Sequence, residues 1–326
     1  MGSTTTKGTR ERVAVAMMRA ARAANRSGAA RRLLRGRSVR RFPLVNRVYH
    51  LVFRLGTASG GESVQATYGG LRLSGPAWDS TIMPAVSAGY YEEFEVGVYR
   101  RLAASSGLII DVGANIGVYA VTGGADVPYG GRVVAFEPVP ENLTYLRHNV
   151  ASNELDRRVV VEPVAVGEET GEITLYLSAE QTGKHSAAAA NAGPSAGAVT
   201  VPMTSVDAYV DGNGLGPPDL IKIDVEGYEG FVLSGARQSL DARPTLLFEL
   251  HPELQANCGF PAGDLLDLVY ARYPWVFLLD ELHHTLVPVR RAELDLPGAV
   301  GLYRSNLVAI GRDEHLAAVR DWRAAA

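Results

Sequence analysis

Residues 109–120 read IIDVGANIGVYA. Ile109 and Ile110 follow Leu108, and this short apolar run ends in an acid and then in glycines, the pattern of a buried parallel strand that stops at a ligand. Gly113 and Gly117 flank Asn115, and both residue types tolerate the left-handed backbone that a tight strand-to-helix turn demands. A small molecule is therefore expected at this turn. Strand 108–111 leads into a helix near 116–124. Strand 132–137 (RVVAFE) leads into a helix near 140–152, and strand 158–162 (RVVVE) follows. That βαβαβ run predicts a parallel sheet with helices on its faces.

Upstream, ESVQATYGGLRLSG (62–75) turns at Gly69-Gly70 and predicts a hairpin. The stretch from Tyr90 reads as a helix closing at Gly107. Downstream, EITLYL (172–177) and AVTVPMTSV (198–206) read as an antiparallel pair. Between them lie about twenty small residues, too many for an ordinary connection, so the segment is expected to be a mobile cover or disorder. DLIKIDVEGYEG gives another buried strand, PTLLFELH a further one, GDLLDLVYARY a helix, and WVFLLD and NLVAIG two last strands.

At 326 residues with 47% hydrophobic residues, the chain can bury a full core. Its apolar runs are too short for a membrane span, and its start lacks a signal-peptide core, so the expected location is the cytoplasm. The single Cys258 excludes an internal disulfide framework and a multi-cysteine zinc site, and reads as a small core residue. Charge is unevenly placed. Residues 1–54 hold fourteen of the 32 basic residues and one acid, leaving 18 basic against 34 acidic residues elsewhere. Residues 1–60 are therefore read as a basic extension, partly disordered or helical, suited at most to a weak peripheral membrane or protein contact. Nucleic acid is not expected, because aromatics are sparse there and the body is acidic.

In an open parallel sheet, ligands bind outside the carboxyl ends of the strands. Asp111, Glu137, Asp224 with Glu226, and Glu249 with His251 all fall at such ends, which suggests a single site. An acid ending the second strand can accept hydrogen bonds from both hydroxyls of a ribose, which is the reading of Glu137. A dinucleotide enzyme would show G-x-G-x-x-G; here Asp111 precedes Gly113 and would repel a diphosphate, while it suits a ligand bearing an ammonium.

The blocks DVGANIG, VVAFEPVPENLTYLRHN, LIKIDVEGYEGFVLSGA and LLFELH, preceded by GYYEEF, closely resemble the FkbM family of S-adenosylmethionine-dependent methyltransferases over about residues 89–311. Residues 181–197 match it poorly. The resemblance implies an α/β class I methyltransferase fold, Rossmann-like, with a seven-stranded, mostly parallel sheet and an antiparallel edge. Residues 61–107 would be a hairpin and helix packing on the core, and 108–326 the catalytic domain. It implies S-adenosylmethionine as cofactor, with Asp111, Gly113, Ala114, Asn115 and Gly117 forming the methionine-side loop and Glu137 the ribose clamp. Pro138 and Asn142 would shape the next turn, and Val164 and Ala165 the adenine edge. The reaction implied is methylation of a hydroxyl on a sugar or natural-product scaffold, a small-molecule acceptor. N- or carboxyl-methylation on the same fold is the alternative, and a nicotinamide oxidoreductase a weaker one.

Methyl transfer requires alignment of the acceptor oxygen and a base for its proton. The order expected for that base is Asp224, then His251, then Glu226. Each has a structural reading as well: Asp224 as a turn or cofactor partner, His251 as a satisfied strand-end histidine, Glu226 as a cap for the following helix. Lys222, between Ile221 and Ile223, is expected to pair with an acid. Tyr91, Glu92 and His185 are the acceptor-side candidates. No metal is expected, since no ligand spacing supports one.

Overall fold

The computed structural model describes residues 63–294 and 305–324; the basic extension at 1–60 lies outside the described residues. The chain divides into two units, residues 1–93 with 180–182, and residues 94–179 with 183–326.

Within the described part of the smaller unit, β1 (Ser63–Tyr68) and β2 (Leu71–Pro76) pair antiparallel with Tyr68 opposite Leu71. Gly69 and Gly70 both take positive φ, which lets a two-residue turn follow the twist of the strands. Helix α1 (Ile82–Ala88) follows, its first N–H groups accepted by the Asp79 carboxylate, and ends at a left-handed Gly89.

The larger unit opens at Phe94, within α2 (Glu93–Ala103), and the N–H groups of Phe94 and Glu95 are accepted by the Glu281 carboxylate. The elements that follow are β3 (Leu108–Val112), α3 (Val118–Asp126), β4 (Arg132–Phe136), α4 (Pro140–Ser152) and β5 (Val159–Glu162). Next come β6 (Ala165–Val166), β7 (Gly171–Ser178), α5 (Ala189–Ala192), β8 (Ser195–Thr204), α6 (Val206–Gly212) and β9 (Leu220–Ile223). The chain continues through α7 (Glu229–Ser234), α8 (Arg237–Asp241), β10 (Thr245–Leu250), α9 (Pro252–Asn257) and α10 (Ala262–Tyr270). It closes with β11 (Trp275–Asp280), β12 (Thr285–Pro288), β13 (Ser305–Ile310) and α11 (Asp313–Ala318).

The main sheet runs in the order β12-β11-β13-β10-β9-β3-β4-β5. Strands β10, β9, β3, β4 and β5 are parallel neighbours, while β13 is antiparallel to both β10 and β11. Setting aside β12, a hairpin partner of β11 that extends the edge to eight strands, this is the expected seven-stranded sheet with its antiparallel edge. The order reverses between β3 and β9, and such a switch point opens a crevice at the strand ends.

Alternation along the strands separates the two faces. Ile110, Val112, Ile221, Ile223, Phe248 and Leu265 lie in one apolar core with helices α7, α8 and α10. Asp111 and Lys222, paired in register across β3 and β9, therefore face the other side. There the Lys222 ammonium lies 4.4 Å from the centre of the Tyr119 ring of α3, and Tyr119 meets Tyr99 of α2 edge to face.

The segment expected to be mobile or disordered is built otherwise. β7 and β8 pair antiparallel through eight residues, and β8 also pairs β6. After β7 the chain returns so that Ser186 exchanges both main-chain hydrogen bonds with Tyr176. Ser186, Asn191 and Ala192 are buried. The expected strand to 206 stops at Thr204, because the Ser205 hydroxyl accepts the Ala208 N–H and starts α6. No helix among the described residues is long and apolar enough to cross a membrane.

Candidate active site

The turn after β3 places its residues by main-chain necessity. Gly113 adopts φ +79°, and a Cβ there would stand 1.9 Å from the Asp224 carbonyl oxygen, so only glycine permits β3 and β9 to approach at this level. Asn115 is also left-handed, at φ 53°. The N–H groups of Gly113 and Ala114 donate to the Phe136 carbonyl, at 3.1 and 3.0 Å, and that of Gly117 to the Ala114 carbonyl at 2.8 Å. The Asn115 N–H donates to Glu137 Oε2 (2.8 Å), the Ile116 N–H to Asn115 Oδ1 (2.7 Å), and Asn149 Nδ2 holds the Ile116 carbonyl (2.7 Å). All five loop N–H groups are thus committed to the protein. A phosphate cradle needs such groups unspent, so the arrangement disfavours a dinucleotide.

Glu137 is the keystone of the second strand end. Its other oxygen accepts the Val139 N–H at 2.8 Å, and Asn142, buried on α4, adds a side-chain hydrogen bond. The two carboxylate oxygens have four acceptor sites between them, and these three bonds leave one for a ligand hydroxyl. Burial outweighs these bonds and pushes the carboxyl up to about 7. Pro138 is partly exposed beside it. Ala165 is the first residue of β6, paired with Met203, and Val164 packs on the sheet core just before it.

Asp111 is fully buried, and neither of its oxygens has a hydrogen-bond partner. Lys222 Nζ stands 3.9 Å away, an ion-pair distance but not a hydrogen bond, and makes its closer contact, 3.3 Å, with Asp224 Oδ2. The expected pairing of Lys222 with acid is what the structure shows. Burial, opposed by Lys222, raises the Asp111 carboxyl to about 6. An orphaned buried carboxylate fits a cofactor that brings an ammonium to this strand end.

Glu226 takes the left-handed conformation at φ 51°, unusual for a residue of its type. Its carboxyl is raised to about 8 by burial and then by the neighbouring Asp224 and Glu229, with Lys184 opposing. Backbone of this kind and a shifted carboxyl, together at a strand end, make Glu226 a candidate functional residue. Glu229 is buried and holds the turn, accepting the N–H groups of Val225 (3.2 Å) and Gly227 (3.1 Å) and a donor from Gln255 (3.1 Å). His251 caps α9, its Nδ1 accepting the Leu254 N–H at 3.4 Å. His185 Nδ1 accepts the Ser178 N–H at 3.0 Å, which assigns the remaining proton to Nε2, and burial lowers the ring to about 4. In the smaller unit, the Tyr91 carbonyl accepts from the Tyr68 hydroxyl, and Glu92 has φ 39°.

The site thus brings together Asp111, the 113–117 loop, Glu137 with Asn142, Asp224 and Glu226 along neighbouring parallel strand ends. Sequence reasoning did not single out Asn149, Ser186, Asn191 or Glu229. Glu229 carried a visible signal, an acid three residues past Glu226 at a helix start; the others did not.

These carboxyls have a measurable consequence. Asp111, Glu137 and Glu226 have folded values above their unfolded ones, so their protonated forms favour the fold. The stability they contribute is complete below about pH 4 and is lost as pH rises through about 6 to 8. The melting temperature of the ligand-free protein is expected to fall by several degrees between pH 5.5 and 8.5. Scanning calorimetry that showed it rising over that window would contradict the shifts.

Counting β3, β4, β5, β9, β10, β11 and β13 as the first to seventh strands of the main sheet, the order is 3-2-1-4-5-7-6, with the seventh antiparallel and acids at the ends of the first two, which defines the class I methyltransferase architecture. The Methyltransferase FkbM domain matches residues 111–273, half of the chain. The chain belongs to the FkbM family of S-adenosylmethionine-dependent methyltransferases. It is similar to the hexuronic acid methyltransferase AglP of Haloferax volcanii, 27% identical over 150 residues, which are 46% of this chain and 58% of that protein. Among solved structures, the methyltransferase FkbM of Methylobacillus flagellatus KT aligns at 20% identity and TM-score 0.38, over 69% of this chain and 52% of that one. An O-methyltransferase of Bacillus cereus in complex with SAH aligns at 14% identity and TM-score 0.38, over 67% and 80%.

Proposed function

We propose that the protein transfers a methyl group to an oxygen of a sugar or similar polyhydroxylated small molecule, a hydroxyl in the first place. The observation that carries this is the turn after β9, where Glu226 is held with a carboxyl raised to about 8 beside Asp224. A neutral hydroxyl loses its proton as it is methylated, and a carboxylate of raised pKa accepts that proton better than an ordinary one. Glu226 therefore moves ahead of Asp224 and His251 as the base. Asp224 is engaged with Lys222, and His251 Nδ1 caps a helix.

S-adenosylmethionine, when bound, supplies an electrophilic methyl on a sulfonium. Asp111 is suited to its ammonium, the 113–117 loop to its methionine side, and Glu137, oriented by Asn142, to the ribose hydroxyls. The committed N–H groups of that loop support this cofactor over a nicotinamide dinucleotide. The name of AglP supports a sugar acid as acceptor.

The test is turnover of methyl-labelled S-adenosylmethionine with a panel of hexuronic-acid, neutral-sugar and amino-sugar oligosaccharides. Label incorporated in an alkali-stable form is expected, since a methyl ether survives base. Alkali-labile label would assign the carboxyl oxygen instead, and label on amino sugars alone would overturn the oxygen reading.

A further inference from the structure

The segment between β7 and β8 is tied to the turn that carries Glu226 by bonds that reach across the sequence. Asn191 Nδ2 lies 3.0 Å from the Glu226 carbonyl oxygen and 3.0 Å from that of Leu254. The Ser186 hydroxyl donates to the same Glu226 carbonyl at 2.8 Å. Both acceptor sites of that carbonyl are therefore filled from residues 183–197. Asn191 is itself fixed, since its Oδ1 accepts from Asn257 Nδ2 at 2.8 Å, and Ser186 Oγ and Cys258 Sγ lie 3.2 and 3.4 Å from its nitrogen. The space is full: a Cβ on Gly227, at φ 104°, would stand 2.4 Å from the Leu254 carbonyl oxygen and 2.9 Å from Asn191 Nδ2.

A left-handed residue other than glycine is strained and persists where its surroundings over-determine it. Here that work falls to two buried side chains, Ser186 and Asn191, both donating to the strained residue's own carbonyl. We propose that Ser186 and Asn191 are positioning residues for Glu226, and that the 183–197 segment is a fixed wall of the catalytic turn, not a lid. The inference rests on the reading of Glu226 as base. The groups facing that carboxyl are Asp224 and Glu229 from its own turn and Lys184 from the segment.

The experiment titrates the Glu226 side-chain carboxyl by carbon-13 NMR in the full chain, with the resonance assigned through Glu226→Gln. In Asn191→Ala the released turn gains solvent, and the midpoint is expected to drop by about one pH unit or more, a tenfold loss of proton affinity. Ser186→Ala, which keeps the Asn191 bonds, serves as the milder second variant and is expected to move the midpoint in the same direction by less. Ala192→Gly loosens the same segment without removing either bond and is expected to leave the midpoint in place. S-adenosylhomocysteine affinity is expected to stay within about twofold in all three, because the 113–117 loop is untouched. A midpoint unmoved in both bond-deleting variants, or moved equally by Ala192→Gly, would overturn the clamp. Retained methyl transfer in Glu226→Gln would instead remove the base assignment while leaving the clamp intact, so the two failures are distinguishable.

Discussion

Replacing Glu226 by Gln is expected to lower kcat for methyl transfer about 10²- to 10⁴-fold, the span typical of losing a positioned general base. The substitution keeps size and hydrogen-bonding reach but cannot take up the acceptor's proton. In the wild type the carboxyl is raised to about 8, so the working, ionised form increases as pH rises. The kcat profile of the wild type should climb with pH and level off above about 8, and the variant's should lose that inflection. S-adenosylhomocysteine affinity should change little, because Glu226 lies on the β9 turn and not in the 113–117 loop. A variant with near-normal kcat, or one retaining the inflection, would transfer the role to another group. Asp224→Asn is the next variant to measure, and its reading is complicated by Lys222, which would lose its closer carboxylate at 3.3 Å.

Replacing Glu137 by Ala is expected to weaken S-adenosylmethionine binding by about a hundredfold or more. A hydrogen bond from a ribose hydroxyl to the carboxylate, at roughly 1.5–3 kcal/mol, accounts for most of that scale. The same carboxylate also accepts the N–H groups of Asn115 and Val139 and the Asn142 side chain, so its loss leaves three donors unsatisfied and loosens the loop. Glu137→Gln separates these effects, since it retains one acceptor oxygen and the packing, and should fall between wild type and Ala. Because the free carboxyl is held at about 7, the charged form that accepts hydroxyls becomes the majority above that value. Affinity should therefore rise with pH between about 6 and 8. Isothermal calorimetry decides the matter: wild-type affinity retained in Glu137→Ala, or a preference of the wild type for NAD, would displace the cofactor site.

Much of the sheet was legible because its signals are local. Short apolar runs ending in Asp111, Glu137 and Asp224, each followed by a turn residue and a helical period, define parallel strands and a ligand edge without any knowledge of what packs on them. The hairpin at Gly69-Gly70 was equally plain, since only a primed turn needs two positive φ angles in succession. The extra edge strand β12, only four residues long, carries no such pattern and owes its place to β11. The segment after β7 misled for a physical reason. Serines, alanines and glycines have no periodicity to read, and their order here comes from the partners they meet on the β9 turn and α9.

Composition and pattern alone determined the α/β class of the fold, the carboxyl edge of its parallel strands and the acids that end them, because strand period, turn chemistry and charge are properties of neighbours in the chain. Tertiary structure decided what surrounds those acids. Ser186, Asn191, Glu226 and Leu254 are far apart in sequence and meet only once the sheet and its covering segment are folded. Burial then raises one carboxyl to about 8 while Lys222 engages its neighbour, and a side chain's solvation and partners exist only in three dimensions.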